Sequence, residues 1–444
     1  MKQHSFTLLI TLFLTSLLAL PAQARQIELS AELGTPVVEA GRAHKTFLKI
    51  SLTGFELSGL KERTPANVAL VLDESGSMTG EKLEEAKEAA LLAVDLLNGD
   101  DILSIISYDS HVKVLVPATR VADKSDIRRA LRAMKAGGQT ALFAGVSKGA
   151  REIRKFIDKE RVNRIILLSD GQANVGPSTT TELGELGMSL GKEGISVTTI
   201  GLGAGYNEDL MANLAGYSDG NHAFVENPED LVKIFNYEFG DVLSVVAQDL
   251  LIRIEFEDGI LPLRILGRNG EIIGREVTTR MNQLYSDQEK YVLLEVEVPE
   301  GTADQTRDLA SVTVSYQNMA NRQQEDVHDK VTVRYSTSGD DVAKSRNREV
   351  VTTATKQVAN EMSKQALKLR DEGKREEAQS LLNSSADFVR SQGAILGGEE
   401  KEELEAFSAE VESDADAITL DKEWDRTRKA IRAKQYRQDT QQNY

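Results

Sequence analysis

The chain has 444 residues, 40% of them hydrophobic, no cysteine, a formal net charge of −17 and an isoelectric point near 5.0. Single hydrophobic cores seldom grow past roughly 250 to 300 residues, so two or three domains are expected. An acidic surface repels phosphate backbones and anionic lipid, which argues against nucleic acid as a partner; the absence of thiols excludes disulfides, an N-terminal lipidated cysteine, thiolate metal sites and a cysteine nucleophile.

The first residues read as a targeting segment. Lys2 precedes a mostly apolar run from Phe6 to Leu20, and Ala22-Gln23-Ala24 offers the small residues of a signal-peptidase site. The run is short of the roughly 20 residues that span a bilayer, which favours a signal peptide cleaved after Ala24 over a membrane anchor. The mature chain is then expected to begin at Arg25 and to be periplasmic or secreted, with no later segment of transmembrane length. From residue 25 to 63 the pattern is that of strands: Ile27, Leu29, Ala31 and Leu33 alternate with mostly polar residues, and Phe47, Leu48, Ile50 and Leu52 do so less cleanly.

Over residues 64–246 strands alternate with helices. Val68–Leu72, Arg164–Leu168 and Ile195–Leu202 are continuous apolar runs of the kind buried on both faces. Ile102–Ile106 and Val112–Val116 are shorter strands around a turn at Asp109-Ser110. Between them fall stretches with apolar residues on one helical face: Glu81–Leu97, stopped at Asn98-Gly99; Ser125–Met134; Ala144–Ile157; Thr181–Leu190; and Glu208–Leu214. Ala223–Val225 reads as a short strand. Pro228–Val242 closes the series with Leu231, Ile234, Phe235, Phe239 and Val242 facing inward. This order predicts a doubly wound, mainly parallel sheet covered on both faces.

Over residues 247–340 the period of two returns, in Leu250–Phe256, Tyr291–Val298, Val312–Tyr316 and Val331–Tyr335. With the N-terminal strands these are expected to complete an antiparallel β-sandwich into which the α/β unit is inserted. Residues 341–420 are helical and polar. Val350, Ala354, Val358, Met362 and Leu367 form one stripe, and Ala378, Leu381, Leu382, Phe388 and Val389 its return, a single hairpin rather than a solenoid. Residues 399–416 are acidic. The basic tail at 421–444 is expected to be solvated and partly frayed.

Chemistry concentrates in the loop after the first buried strand, Asp73-Glu74-Ser75-Gly76-Ser77-Met78. In an open parallel sheet the crevice beyond the carboxyl ends of the strands is where ligands sit. Asp73 places a carboxylate at that edge, and Ser75 and Ser77 place hydroxyls two residues apart. Glu74 is expected to face solvent. Thr140 opens a helix at the same edge, and Asp170 ends the second buried strand there. Oxygen-only donors suit hard cations: Mg2+, or alternatively Mn2+ or Ca2+. Taken singly, each piece has a plainer role, since Ser75, Ser77 or Thr140 could cap a helix and Asp170-Gly171 could be an ordinary turn.

Taken together, these loops resemble the von Willebrand factor type A (VWA) family, whose metal-ion-dependent adhesion site combines an Asp-x-Ser-x-Ser loop, a Thr on a second loop and an Asp on a third. Asp73, Ser75, Ser77, Thr140 and Asp170 match that pattern in order and spacing. The resemblance implies direct coordination by the hydroxyls, with the carboxylates acting directly or through water. It further implies a non-enzymatic protein-binding or adhesion module in which an Asp or Glu of a partner completes the coordination. More loosely, the flanking strands and helices are similar to bacterial exported proteins related to inter-alpha-trypsin inhibitor heavy chains. An alternative is an envelope-assembly scaffold in which the ion is only structural. A metal hydrolase is disfavoured because the five histidines show no metal-ligand spacing, and neither a Gly-x-Ser-x-Gly elbow nor a phosphate-binding Gly-rich loop occurs.

Overall fold

The computed structural model describes residues 26–57 and 63–442, so the signal-peptide reading lies outside the described residues. Strands β1 (Glu28–Leu33), β2 (Val37–Glu39) and β3 (His44–Thr53) come first, as the alternation there requires. The α/β unit follows in the order β4 (Ala66–Asp73), α1 (Glu81–Leu96), β5 (Ile102–Tyr108), β6 (Val112–Arg120), α2 (Ser125–Arg132), α3 (Leu142–Arg154) and β7 (Val162–Ser169). It continues with α4 (Thr180–Lys192), β8 (Ser196–Leu202), α5 (Glu208–Tyr217), β9 (His222–Val225) and α6 (Leu231–Leu243). Its sheet runs β6-β5-β4-β7-β8-β9, parallel except for the β6 edge. Every residue of β4, β5, β7 and β8 is buried, because helices cover both faces. That is why these strands read as apolar runs and not as alternations.

The chain then returns as β10 (Val245–Phe256), β11 (Leu261–Leu266), β12 (Gly270–Ile273), β13 (Glu276–Tyr285), β14 (Glu289–Val298), β15 (Thr306–Asn318) and β16 (Gln323–Ser336). Two sheets form, β1-β3-β14-β11 and β12-β13-β10-β15-β16-β2, antiparallel apart from the β16–β2 pair. Leu48, Ile50 and Leu52 of one share a core with Ile252, Ile254, Val312 and Val314 of the other. Full burial of each such side chain stabilises by about 1.5–3 kcal/mol, which drives N-terminal strands to pair with strands far along the chain.

The α/β unit thus leaves the sandwich after β3 and re-enters it at β10. At the seam the fully buried Arg164, near the start of β7, donates to the Tyr285 hydroxyl at 2.6 Å and lies 3.7 Å from Glu238 of α6. Asn282 of β13 donates from Nδ2 to the Ser218 carbonyl at 2.7 Å and from its backbone to Asp219. The sandwich therefore holds the amino ends of the parallel strands and leaves their carboxyl ends free for a site.

Lys290 of β14 is buried beside this seam, its nitrogen 4.6 Å from the centre of the Tyr285 ring. Burial pulls its pKa down from 10.5 to about 8, with Asp219 opposing the shift and Arg268 adding to it. A lysine whose folded pKa lies below its unfolded one costs stability; the cost is complete below pH 8 and fades as pH rises towards 10.5. Lys290→Met is accordingly expected to stabilise the fold at pH 7 by about 3 kcal/mol or slightly more, at ~1.4 kcal/mol per pKa unit over the shift from 10.5 to about 8. Urea unfolding at pH 7 and 9.5 checks this, since the gain should fall by roughly half at the higher pH.

The C-terminal region departs from the sequence expectation. After α7 (Gly339–Lys344), the anticipated hairpin appears as α8 (Arg348–Asp371) and α9 (Arg375–Leu396), and the acidic stretch adds α10 (Gly398–Ala417) against them. Val411, Ala415 and Ile418 complete a core with Ala378, Leu382 and Ala386. The basic end is not a solvated tail: it forms α11 (Trp424–Thr440) and packs between two partners. Lys429, Ala433 and Tyr436 are buried at helical spacing, and Tyr436 joins Ala212 and Ala215 of α5 in a small apolar cluster. Towards α8, Gln435 donates to Ser363 at 2.9 Å and accepts at its carbonyl from Asn360 at 3.1 Å. Among the described residues, no helix is long and apolar enough to cross a membrane.

Candidate metal centre

β4 ends at Asp73, which still pairs with Tyr108 of β5 but no longer with β7, and which turns its carboxylate onto the chain that follows. Asp73 Oδ1 accepts the Ser75 backbone N–H at 2.8 Å, and Oδ2 accepts the Ser169 hydroxyl at 2.7 Å. One tight turn, Gly76–Met78, then carries Ser75 and Ser77, and the fully buried Met78 pins it to the core. Backbone bonds tie this loop to the next: Gly76 N–H to the Gly138 carbonyl at 3.1 Å and Gly137 N–H to the Glu74 carbonyl at 2.7 Å. Gly138 sits at φ +79°, where a Cβ would also press to 3.0 Å from the Ser110 hydroxyl, so glycine is needed there.

The second and third loops are joined by Asn174, whose side-chain oxygen accepts the Thr140 N–H at 2.8 Å, while the Thr140 carbonyl accepts the Asn174 N–H at 3.2 Å. All five sequence-derived residues meet in consequence. Ser75 and Ser77 hydroxyls are 3.0 Å apart, and Ser77 donates to Asp170 Oδ1 at 2.7 Å. A Cβ on Gly171 would stand 3.2 Å from both Ser77 Oγ and Thr140 Oγ1, which places those two hydroxyls over the same point. Asp73, Ser75, Thr140 and Asp170 are buried and Ser77 is exposed, so the cluster opens to solvent on the Ser77 side.

Its electrostatics favour a cation. Burial raises the Asp73 carboxyl to about pKa 6 against the hydrogen bonds from Ser75 and Ser169, and the Asp170 charge adds to the rise. Lys82 answers Asp170 alone, so Asp73 and Asp170 keep one uncompensated negative charge, and three neutral hydroxyls beside them are hard oxygen donors. That donor set fits Mg2+, Mn2+ or Ca2+ and not a soft metal. Among the described residues no three His, Cys, Asp or Glu side chains gather as a metal cluster, so a cation here depends on the hydroxyls.

Several participants escaped the sequence reading. Glu74 does not face solvent: it is buried, its N–H continues the sheet to the Tyr108 carbonyl at 2.9 Å, and its carboxylate pairs with Lys113 at 2.5 Å. Ser169 and Asn174 act as positioning groups whose partners lie on other loops. Lys82, on α1, reaches Asp170 Oδ2 at 2.5 Å. Its one sequence signal was a cation in a helix's first turn, where the helix dipole disfavours it. The four described histidines lie elsewhere, His222 in β9 and His44 and His328 in the sandwich, while His111 is exposed on the turn before β6.

Comparison with known proteins bears on this geometry. Residues 67–236 match the family model of the von Willebrand factor type A domain. A Synechocystis protein described as uncharacterized is 34% identical over 183 residues, 41% of this chain and 43% of that protein. YfbK of Escherichia coli is 28% identical over 214 residues, 48% of this chain and 37% of that one. Human inter-alpha-trypsin inhibitor heavy chain H3 is 29% identical over 204 residues, 44% of this chain and 22% of that one. The matches thus span less than half the length of each of these relatives. A von Willebrand factor type A structure from Catenulispora acidiphila superposes with TM-score 0.68 at 16% identity, over 84% of this chain and 88% of that one. The ArnB paralog VWA2 of Sulfolobus acidocaldarius does so with TM-score 0.60 at 18% identity, over 88% and 97%. The shared fold therefore extends beyond residues 67–236.

Proposed function

Residues 67–236 form a von Willebrand factor type A domain, a class that commonly mediates protein–protein interaction, and on that premise we propose that the chain is a non-enzymatic, cation-dependent binding protein of the cell envelope. One observation carries this reading: Asp73, Ser75, Ser77, Thr140 and Asp170, from three loops, converge at the carboxyl edge of the parallel sheet with hydroxyls 3.0 Å apart and a carboxylate at 2.7 Å. Asp73 and Asp170 supply the negative charge that holds a divalent ion, and Ser75, Ser77 and Thr140 supply neutral oxygens. A divalent ion bound there offers an electrophilic centre to an Asp or Glu on a partner protein. Asn174 holds the Thr140 backbone, Ser169 orients Asp73, and Met78 anchors the turn. Export to the periplasm or beyond is supported by the pattern of residues 1–24, which has the form of a cleavable signal.

The mature protein is expected to bind one Mg2+ or Mn2+ in titration calorimetry, and Asp73→Ala to abolish that binding, because half the compensating charge is gone. Thr140→Ala should keep the fold and weaken capture of a partner from envelope extract in Mg2+. Chelation discriminates the alternatives: partner loss with unchanged circular dichroism supports adhesion, whereas retention of both partner and fold supports the scaffold.

A further inference from the structure

We propose that Lys82 is an internal counter-ion of the centre, one that lowers its affinity for the cation and keeps the loaded centre positive towards a partner's carboxylate. The inference rests on the cation-site reading and assigns a role to a residue outside the five-residue pattern. Lys82 is the second residue of α1, where the partial positive charge of the helix end opposes a cation. It nevertheless places Nζ 2.5 Å from Asp170 Oδ2, a carboxylate with no exposed side-chain surface, while its own side chain is 34% exposed. The nitrogen also approaches the turn after β8, where a Cβ on Gly203 would lie 3.9 Å away. The other Asp170 oxygen is taken by Ser77, so Asp170 meets a hydroxyl of the cluster on one side and a fixed positive charge on the other.

The charge count decides the consequence. Asp73 and Asp170 alone would leave a bound divalent ion neutralised; with Lys82 the three side chains sum to −1, and the loaded centre to +1. Further out, Lys113 is shared by Glu74 at 2.5 Å and Asp109 at 3.3 Å, so those three groups add one negative charge at the rim, and neither acid bonds Asp73 or Asp170. A unit charge within a few ångströms in a poorly solvated pocket changes an ion's affinity on the order of tenfold or more. The same charge favours an incoming carboxylate. Cation and carboxylate are then linked, each raising the affinity for the other, and by reciprocity the coupling appears in either titration.

The test uses the mature chain, Mn2+ as the probe and the variants Lys82→Met, Lys82→Arg and Asp73→Ala. Calorimetry in chloride is expected to show Mn2+ bound at least about tenfold more tightly by Lys82→Met than by wild type, with Lys82→Arg close to wild type. Replacing chloride by acetate at equal ionic strength should tighten Mn2+ in wild type and do so less in Lys82→Met. In chelator, Lys82→Met should melt below wild type, because Asp170 has lost its counter-ion, and Mn2+ should raise its melting temperature more. Equal or weaker Mn2+ binding by Lys82→Met, with Asp73→Ala still abolishing binding, overturns the role of Lys82 while leaving the cation site standing. Absence of both Mn2+ heat and Mn2+-induced thermal shift in every protein, wild type included, overturns the cation site and this inference with it.

Discussion

Arg428→Glu is expected to detach α11 from the α/β unit at a cost of about 3–5 kcal/mol, the range found when one partner of a buried ion pair is lost. Arg428 is the hub of that contact: Nη1 donates to Glu208 at 2.5 Å, and Nη2 to Asp209 at 2.7 Å and to Asp371 of α8 at 2.7 Å. Glu208 is buried and shares its other oxygen with Lys429 at 2.9 Å, while Asp209 also meets Arg432 at 3.2 Å. Because those two cations remain, removing Arg428 alone leaves partial compensation; reversing its charge sets a carboxylate against three others. Arg426→Ala is the control, since its pair with Glu226 is solvent-exposed and such pairs are worth about 0–1 kcal/mol. Hydrogen exchange is the measurement. Faster exchange in 424–440 and 208–225, with the sandwich strands unchanged, is the expected pattern; full protection of α11 in Arg428→Glu would show that apolar packing alone holds the helix.

Acid is expected to weaken the same contact through His222. Its ring lies beneath Tyr436, edge to face at 5.6 Å, with Nδ1 2.8 Å from the Thr199 hydroxyl and Nε2 without a hydrogen-bond partner among the described residues. Burial lowers its pKa from 6.5 to about 3, with Arg432 and Arg437 adding to the effect and Asp209 opposing it. A histidine held neutral in the fold contributes stability that is intact above pH 6.5 and is lost as pH falls towards 3, because only the unfolded chain takes up the proton. At pH 5 the loss amounts to about 2 kcal/mol, at ~1.4 kcal/mol per unit. His222→Asn retains a polar group near Thr199 and cannot titrate, so its stability should fall by about that much less between pH 7 and 5. Equal slopes for the two proteins in urea unfolding would count against a buried neutral His222. The two predictions cross-check each other: Arg428→Glu uncovers the ring, and its pKa by NMR should return towards the ordinary histidine value.

Much of this protein was legible before folding because its strongest signals are local. β4, β7 and β8 are covered by helices on both faces and read as unbroken apolar runs. Of the strands missed over 261–285, β11 has one buried residue and β12 none, so neither shows a buried face to read, while β13 buries Val277, Thr279, Met281 and Gln283 in alternation, a face half polar and so without an apolar period. Glu74 was misjudged because its exposure followed from its place after a strand, whereas the bond to the Tyr108 carbonyl draws it inward.

The sequence by itself determined the doubly wound sheet, its insertion between sandwich strands, and the three loops that bring Asp73, Ser75, Ser77, Thr140 and Asp170 to one edge. Each of these follows from apolar burial, a non-directional force that leaves its period in the chain, and from the rule that parallel strands end on the same side. Only the tertiary structure decided that Lys82 answers Asp170 at 2.5 Å and that a basic C-terminal stretch is a packed helix with Arg428 on Glu208 across 220 positions of sequence. Charge pairing depends on the distance between two groups, and where charges are plentiful, the path of the backbone in space selects which of them meet.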